Sequence, residues 1–203
     1  MRTDPHPHRP GQAALRRALR RELRRRRRGL PEQARRQAAL AAARNARALP
    51  WLRRARHLAC YWPADGELDP RPLVERLLTP GKVAYLPVVR PDGRLWFAPW
   101  RAGVAWRLNR YGIPEPCGQA VPARALDLIL LPLVAFDVRG YRLGMGGGYY
   151  DRTLAFLRHR LRHRPRLVGL AYSWQEVASL PAEPWDVPLD AVVTEAGVRR
   201  FRS

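Results

Sequence analysis

Residues 126–136 hold a single charged side chain, Asp127, in an otherwise apolar run of Leu, Ile, Val, Ala, Pro and Phe. The run lacks the alternation of a half-exposed strand, so it predicts a strand buried on both faces of a parallel sheet. Leu15, Leu19 and Leu23 recur at helical spacing with arginines on the other faces, which predicts an amphipathic first helix. Gly29 and Pro31 interrupt it, and Pro31 can open a second helix through Leu49. Residues 57–62, 82–89 and 94–100 predict strands, the last two joined by a turn at Pro91-Asp92-Gly93. Residues 72–78 predict a short helix, and residues 103–122, rich in Gly and Pro, predict a loop. Beyond the buried strand, Leu154, Phe156, Leu157 and Leu161 fit a helix to His163, followed by strands at 166–172 and 190–194. Helices alternating with buried strands predict an α/β fold. It should be one layered domain whose largely parallel, Rossmann-like sheet is flanked by helices.

Length and composition narrow this picture. The 203 residues suffice for one domain with a substantial core, and 46% hydrophobic content argues against disorder. Residues 1–12 are polar and rich in Pro and His, and are expected to form a disordered extension before a domain spanning 13–203. They lack the apolar core of a secretory signal, and no apolar run reaches the length of a membrane span. Cys60 and Cys117 are too few and too isolated for a disulfide framework or a metal cluster, which points to the cytoplasm. His6, His8, His57, His159 and His163 form no recognisable ligand set. The formal charge is +21, and of 38 basic residues Lys82 is the only lysine. Usage this one-sided suggests a coding bias, so part of the charge is solvated surface. The run of residues 24–28 could still attract polyanions, but no aromatic stacking pattern accompanies it and no specific nucleic-acid partner is expected.

Candidate chemistry lies just after the buried strand. Gly144-Met145-Gly146-Gly147-Gly148 leads into Tyr149, Tyr150, Asp151 and Arg152, with Arg142 just before. Glycine-rich backbone between strand and helix start can present several N–H groups to an anion, aided by the helix dipole. A Walker loop is excluded because Tyr149, not Lys, follows the last glycine, and the dinucleotide fingerprint fails at the same tyrosine. The bland alternative is a tight turn whose glycines supply only positive φ or close packing. A plain turn would have no need of Arg142, Tyr149, Asp151 and Arg152 together.

Ordered segments across the chain resemble the 5-formyltetrahydrofolate cyclo-ligase (methenyltetrahydrofolate synthetase) family. They comprise Arg16-Arg17-Ala18-Leu19-Arg20, Tyr61-Trp62-Pro63-Ala64-Asp65-Gly66-Glu67-Leu68-Asp69, Tyr111-Gly112-Ile113-Pro114-Glu115-Pro116, the buried strand and the glycine loop. Val168-Gly169-Leu170-Ala171-Tyr172 and residues 180–194 complete them. The resemblance implies ATP-dependent closure of 5-formyltetrahydrofolate to 5,10-methenyltetrahydrofolate with release of ADP and phosphate. It further implies that Arg16, Arg17, Arg20, Arg142, Leu143 and the loop Gly144, Met145, Gly146, Gly147, Gly148, Tyr149 and Tyr150 bind ATP. Arg142 and Tyr149 would be catalytic, and Trp62, Glu67, Glu115 and Tyr149 would contact the folate. Asp151 and Asp186 would hold Mg2+, an ion that accepts one or two carboxylates alongside phosphates and waters. Two positions depart from the family pattern: Arg16 stands where many members carry lysine, and Pro70 replaces a common threonine. A monomer is expected. The alternatives kept open are a sugar-phosphate isomerase-like enzyme and an arginine-rich nucleic-acid-binding protein.

Overall fold

The computed structural model of the chain describes residues 10–159, 163–183 and 185–201. Five α-helices lie in these residues: α1 Pro10–Arg28, α2 Glu32–Asn45, α3 Pro50–Arg54, α4 Arg71–Leu77 and α5 Tyr149–Thr153. The strands are β1 His57–Ala59, β2 Val83–Val89, β3 Leu95–Pro99, β4 Trp106–Leu108, β5 Pro114–Pro116, β6 Val121–Pro122 and β7 Leu128–Pro132. They continue with β8 Ala135–Asp137, β9 Arg142–Leu143, β10 Arg166–Leu170, β11 Glu176–Val177, β12 Ala191–Thr194 and β13 Gly197–Arg200. None of these helices is long and apolar enough to cross a membrane.

The main sheet has the order β13-β12-β10-β7-β1-β2-β3-β6. Its five central strands are parallel and the outer pairings antiparallel, as expected of a largely parallel sheet. In chain order the parallel strands run 2-1-3-4-5, the flavodoxin-like doubly wound arrangement. The chain moves one way from β1 to β2, then returns to the other side of β1 and continues to β12. Strand order therefore reverses between β1 and β7, and a crevice opens beyond their carboxyl ends.

Strand β7 explains why the apolar run shows no alternation. Leu128 and Leu130 pack with α2, α3 and α4 on one face, while Ile129 and Leu131 pack on the other with Leu154, Val187 and Leu189. Both faces are covered, so consecutive residues must all be apolar. Small Ala39, Ala42 and Ala43 form the buried stripe of α2, and Gly169 of β10 has no room for a Cβ beside Leu133 and Leu189.

Several expectations require correction. The run 126–136 is two strands, because the chain turns out of the main sheet at Leu133-Val134 and re-enters a second sheet as β8. The second helix ends at Asn45 rather than Leu49, since Pro50 cannot continue it and holds Leu49 extended. The stretch 103–122 contains β4, β5 and β6 rather than only loop. The helix expected after Tyr149 stops at Thr153 and continues as a 3-10 turn over Ala155–Arg158, while Leu161 lies outside the described residues. Strand β13 was not anticipated. Helix α1 begins at Pro10, inside the stretch expected to be disordered, and residues 1–9 lie outside the described residues. Its inward stripe also differs: Leu23 and Arg27 are buried, whereas Leu15 is 48% exposed.

Leu130→Ala, which hollows the centre of the sheet, is expected to cost about 2–5 kcal/mol in urea unfolding. Leu15→Ala should stay within about 0.5 kcal/mol of the parent. A large loss at Leu15 would mean that α1 packs in the register first expected from its leucines.

Candidate functional site

The crevice beyond β1 and β7 is walled by the turn after β1, the last turns of α1 and the glycine loop. Ala64-Asp65-Gly66-Glu67 closes with Glu67 N donating to Ala64 O at 2.9 Å, and φ is +52° at Asp65 and +74° at Gly66. Positive φ at both central residues is the type I′ pattern favoured by Asp-Gly. A Cβ on Gly66 would lie 2.8 Å from the Arg27 carbonyl oxygen, so only glycine lets the turn sit against α1.

Arg27 is 1% exposed and ties these walls together. Its Nε donates to Asp65 O at 2.8 Å, its Nη1 to Leu133 O at 3.1 Å and its Nη2 to Asp65 Oδ2 at 2.7 Å. Nη2 also approaches Met145 Sδ at 3.7 Å and Glu67 Oε1 at 3.9 Å. Burial alone would raise the Asp65 carboxyl, but hydrogen bonds from Arg24, Arg28 and Arg27 hold it down at about 2. Glu67 behaves in the opposite way. Burial pushes its carboxyl up to about 7 despite the Arg27 charge and the Ala64 N–H.

In the glycine loop, Gly146 and Gly148 have φ of +101° and +67°, which L side chains resist. Gly147 does not use positive φ; a Cβ there would instead meet the Tyr149 ring at 3.0 Å. Arg20 Nε donates to Gly144 O at 2.9 Å, and Arg152 donates to Gly147 O at 2.7 Å and Gly93 O at 2.9 Å. The carbonyls are therefore turned toward cations. The N–H groups of residues 145–148 find no acceptor among the described residues. Helix α5 is only five residues long, so its dipole contributes less than first expected and the donors are those of the loop itself.

Beside the loop, Arg142 is buried and donates from Nη1 to Val187 O and from Nη2 to Asp151 Oδ1, both at 2.8 Å. Asp186 accepts from Glu183 N at 2.9 Å and pairs with Arg16 at 3.4 Å, and burial raises its carboxyl. Burial lowers Arg20, and the neighbouring Arg16 charge lowers it further. The structure thus brings Arg16, Arg20, Arg142, Asp151, Asp186 and the loop together, while Arg17 lies exposed on the outer face of α1. Arg142 already uses both Nη groups internally, so the accessible cations beside the loop include Arg16, Arg20 and Arg152. Among the described residues no cluster of three or more His, Cys, Asp or Glu side chains could hold a metal by itself. Asp151 and Asp186 suit a hard cation that completes its shell with phosphate oxygens and water.

The β4–β5 hairpin closes the other side. Buried Glu115 accepts from Val89 N at 2.9 Å, Asn109 Nδ2 at 3.1 Å and Arg107 Nη2 at 3.3 Å, so its carboxylate anchors the hairpin. The tip then reaches the loop: Tyr149 is hydrogen-bonded to Arg110 and, at 2.6 Å between hydroxyls, to Tyr111. These bonds lower the Tyr149 phenol. Trp62 packs edge-on against Trp106 and Trp100, beside a cavity of about 350 Å³ lined also by Arg107, Leu108 and Pro114. Tyr150 belongs to the apolar layer around Ile129 and Leu131, and desolvation raises its phenol.

Sequence reasoning missed Arg27, Arg110, Trp106 and the clamp formed by Arg152. One signal could have found Arg27. The Leu19, Leu23 stripe continues at the next i+4 position into that arginine.

Gly148→Ala should lose about 1–2 kcal/mol in urea unfolding, the cost of a left-handed L residue. Gly147→Ala should lose less, because its backbone is ordinary. Equal losses would mean that conformation is not what the loop asks of Gly148. Asp65 sits below the usual carboxyl value of 3.8, so it supports the fold above about pH 4 and this support fades as pH falls through about 2. Asp65→Asn should therefore flatten stability against pH in that window, as followed by acid titration of the circular dichroism signal.

The 5-formyltetrahydrofolate cyclo-ligase family profile matches residues 12–195. The chain is 41% identical over 178 residues to the 5-formyltetrahydrofolate cyclo-ligase of Escherichia coli K12, covering 85% of this chain and 96% of that protein. It is 42% identical over 142 residues to the Haemophilus influenzae enzyme of the same name, covering 68% and 74%. The solved Aquifex aeolicus 5,10-methenyltetrahydrofolate synthetase superposes with a TM-score of 0.79 at 36% identity, covering 93% and 94% of the two chains. These likenesses support neither the sugar-phosphate isomerase alternative nor the nucleic-acid-binding one. Since the matched span includes the Asp-Gly turn, the glycine loop and the acids beside it, the chain belongs to the 5-formyltetrahydrofolate cyclo-ligase family.

Proposed function

We propose that the chain closes 5-formyltetrahydrofolate to 5,10-methenyltetrahydrofolate with consumption of ATP, in the crevice beyond β1 and β7. The observation that carries this reading is the glycine loop, whose N–H groups at residues 145–148 have no acceptor among the described residues, and which Arg20 joins through Gly144 O. The γ-phosphate would lie in that cradle. The formyl oxygen attacks its phosphorus, the bond to ADP breaks, and the formyl carbon becomes an activated imidate-like phosphate ester. The second folate nitrogen then closes onto this carbon and inorganic phosphate leaves with the oxygen. No protein nucleophile is required, so the chain's work is positioning and charge neutralisation.

Arg16, paired with Asp186, and Arg20, bonded to Gly144 O, stand one helical turn apart, so each can neutralise phosphate charge. Arg142 serves indirectly, by orienting Asp151. Asp151 and Asp186 would hold Mg2+, which when bound would neutralise phosphate charge. On the opposite wall, Glu67 would accept N–H groups of the pterin, while Trp62 and Tyr149 would flank the ring system. Glu115 supports the site by anchoring the hairpin that carries Tyr111 toward Tyr149. Cys60 and Cys117 are both free, which suits the cytoplasm.

Purified protein mixed with magnesium-ATP and 5-formyltetrahydrofolate should raise the ultraviolet absorbance of the methenyl product, with one ADP released per product formed. Product without ATP, or no product with every substrate present, would overturn this reading. Asp151→Asn keeps the side chain's size and removes its charge. It is expected to raise the magnesium concentration needed for half-maximal rate by about tenfold, one pair interaction of roughly 1.4 kcal/mol, and to lower the melting temperature because buried Arg142 loses its charged partner. A parent-like magnesium curve would make Asp151 a structural partner of Arg142 alone.

A further inference from the structure

We propose that Arg27 is a positioning residue for folate recognition: from inside the fold it fixes the Asp65-Gly66-Glu67 turn and holds Glu67 as an oriented carboxylate. The inference rests on the reading of Glu67 as the group that meets the pterin. Arg27 lies in an arginine run that looks like solvated surface, yet its guanidinium is buried. A buried guanidinium is costly unless its donors are satisfied, so its position is set by its partners.

Those partners are not scattered. They are Asp65 and Glu67 in the turn, Leu133 O where β7 leaves the sheet, and Met145 in the glycine loop. One side chain therefore joins the folate wall, the strand end and the phosphate loop. Arg24 and Arg28 also bind Asp65, so the turn would remain charge-balanced without Arg27. No other cation lies within salt-bridge distance of Glu67 among the described residues. The other groups facing Glu67 are Arg24 from α1, Asp65 in its own turn, Tyr61 after β1 and Tyr150 from α5. Of these, Asp65 opposes ionisation of Glu67, while Arg27 and Arg24 favour it; burial keeps both phenols neutral where Glu67 titrates. Arg27 is the nearer and more deeply buried of the two cations, so its field is the less screened.

The experiment is the pH dependence of kcat/KM for the formyl substrate in four variants, with KM for ATP measured in parallel. In the parent, the acid limb should fall near pH 7, where Glu67 gains its proton. Arg27→Met removes the favourable charge and should move that limb upward by about one unit, a loss of about fivefold at pH 7 that grows to about tenfold at lower pH and that alkaline pH restores. Arg27→Lys should recover part of the shift. Asp65→Asn removes an unfavourable charge and should move the limb downward. KM for ATP should stay within about twofold, because Arg27 meets the phosphate loop only through the 3.7 Å sulfur contact at Met145.

A merely structural Arg27 would lower activity without moving the limb, or would move it the same way in Arg27→Met and Asp65→Asn. Either result overturns the inference. If Arg27→Met does not fold, Arg27→Lys and Asp65→Asn decide it, and an acid limb unmoved in both overturns it. Glu67→Gln separates the two levels. If the limb survives in that variant, the folate role of Glu67 fails and the inference fails with it. If the limb is lost there but unmoved in Arg27→Met, only the role of Arg27 fails.

Discussion

The carbonyl groups of Leu133 and Val134 impose the constraint on which the crevice depends. They lie where β7 turns out of the main sheet, and each is buried. An unsatisfied buried carbonyl costs about 1–3 kcal/mol, so side chains must reach them. Gln175 donates Nε2 to Leu133 O at 3.0 Å and Val134 O at 2.8 Å, and Arg27 adds Nη1 to Leu133 O. Meeting this demand draws α1 over the strand ends and fixes the Tyr172–Gln175 turn nearby. The second sheet, β11-β8-β9, begins from the same break and delivers Arg142 and Leu143 to the start of the glycine loop. Satisfying the backbone thus sets the distance between the folate wall and the phosphate wall.

Charge is divided along the same line. The inner face of α1 puts Arg16, Arg20, Arg24 and Arg27 against Asp186, Gly144 O, Asp65 and Leu133 O, respectively. On the outer face Arg17, Arg21 and Arg25 line an open groove with Arg20, Arg24 and Arg28, the last of which also reaches Asp65. An exposed pair such as Arg25 with Glu22 contributes little because water and salt screen it. The inner arginines lie where water is partly excluded and their fields persist, even though they come from the same run of sequence. A net charge of +21 therefore says less about function than four particular positions one helical turn apart.

The sequence made the parallel core legible because burial on both faces leaves an unmistakable record, as in residues 128–131. The glycine loop was legible for a similar reason, since few residues other than glycine tolerate its backbone at Gly146 and Gly148. Three features were hidden. The break at Leu133-Val134 lies within unbroken apolar sequence, because the strands on both sides are buried. The β4–β5 hairpin carries Pro114 and Pro116 in an edge position where missing N–H groups do no harm, so its composition imitates a loop. Arg27 was masked by Arg24, Arg25, Arg26 and Arg28, because residue type alone does not report burial. Of the proposed site residues, Glu115 shows the same difficulty. Its place between two prolines suggests an exposed loop, yet three donors converge on its buried carboxylate.

The turn after β1 shows how little the nature of an acid decides what it does. Asp65 and Glu67 are two residues apart and have nearly the same chemistry in water. Asp65 points its carboxylate into three arginines and stays charged down to about pH 2, which makes it an anchor. Glu67 points inward with one backbone donor and a guanidinium at 3.9 Å, and burial leaves it poised near neutrality. Two carboxyls driven this far apart by their surroundings cannot share a task. The anchored acid can only hold structure, because no ligand will outcompete three cations for it. The poised acid is oriented by Arg27 but only partly paired by it, so its charge costs energy that a ligand offering N–H donors would return. Gly66 is what allows the two environments to coexist. Its left-handed backbone lets the turn close against the Arg27 carbonyl while the two acids on either side of it keep different partners.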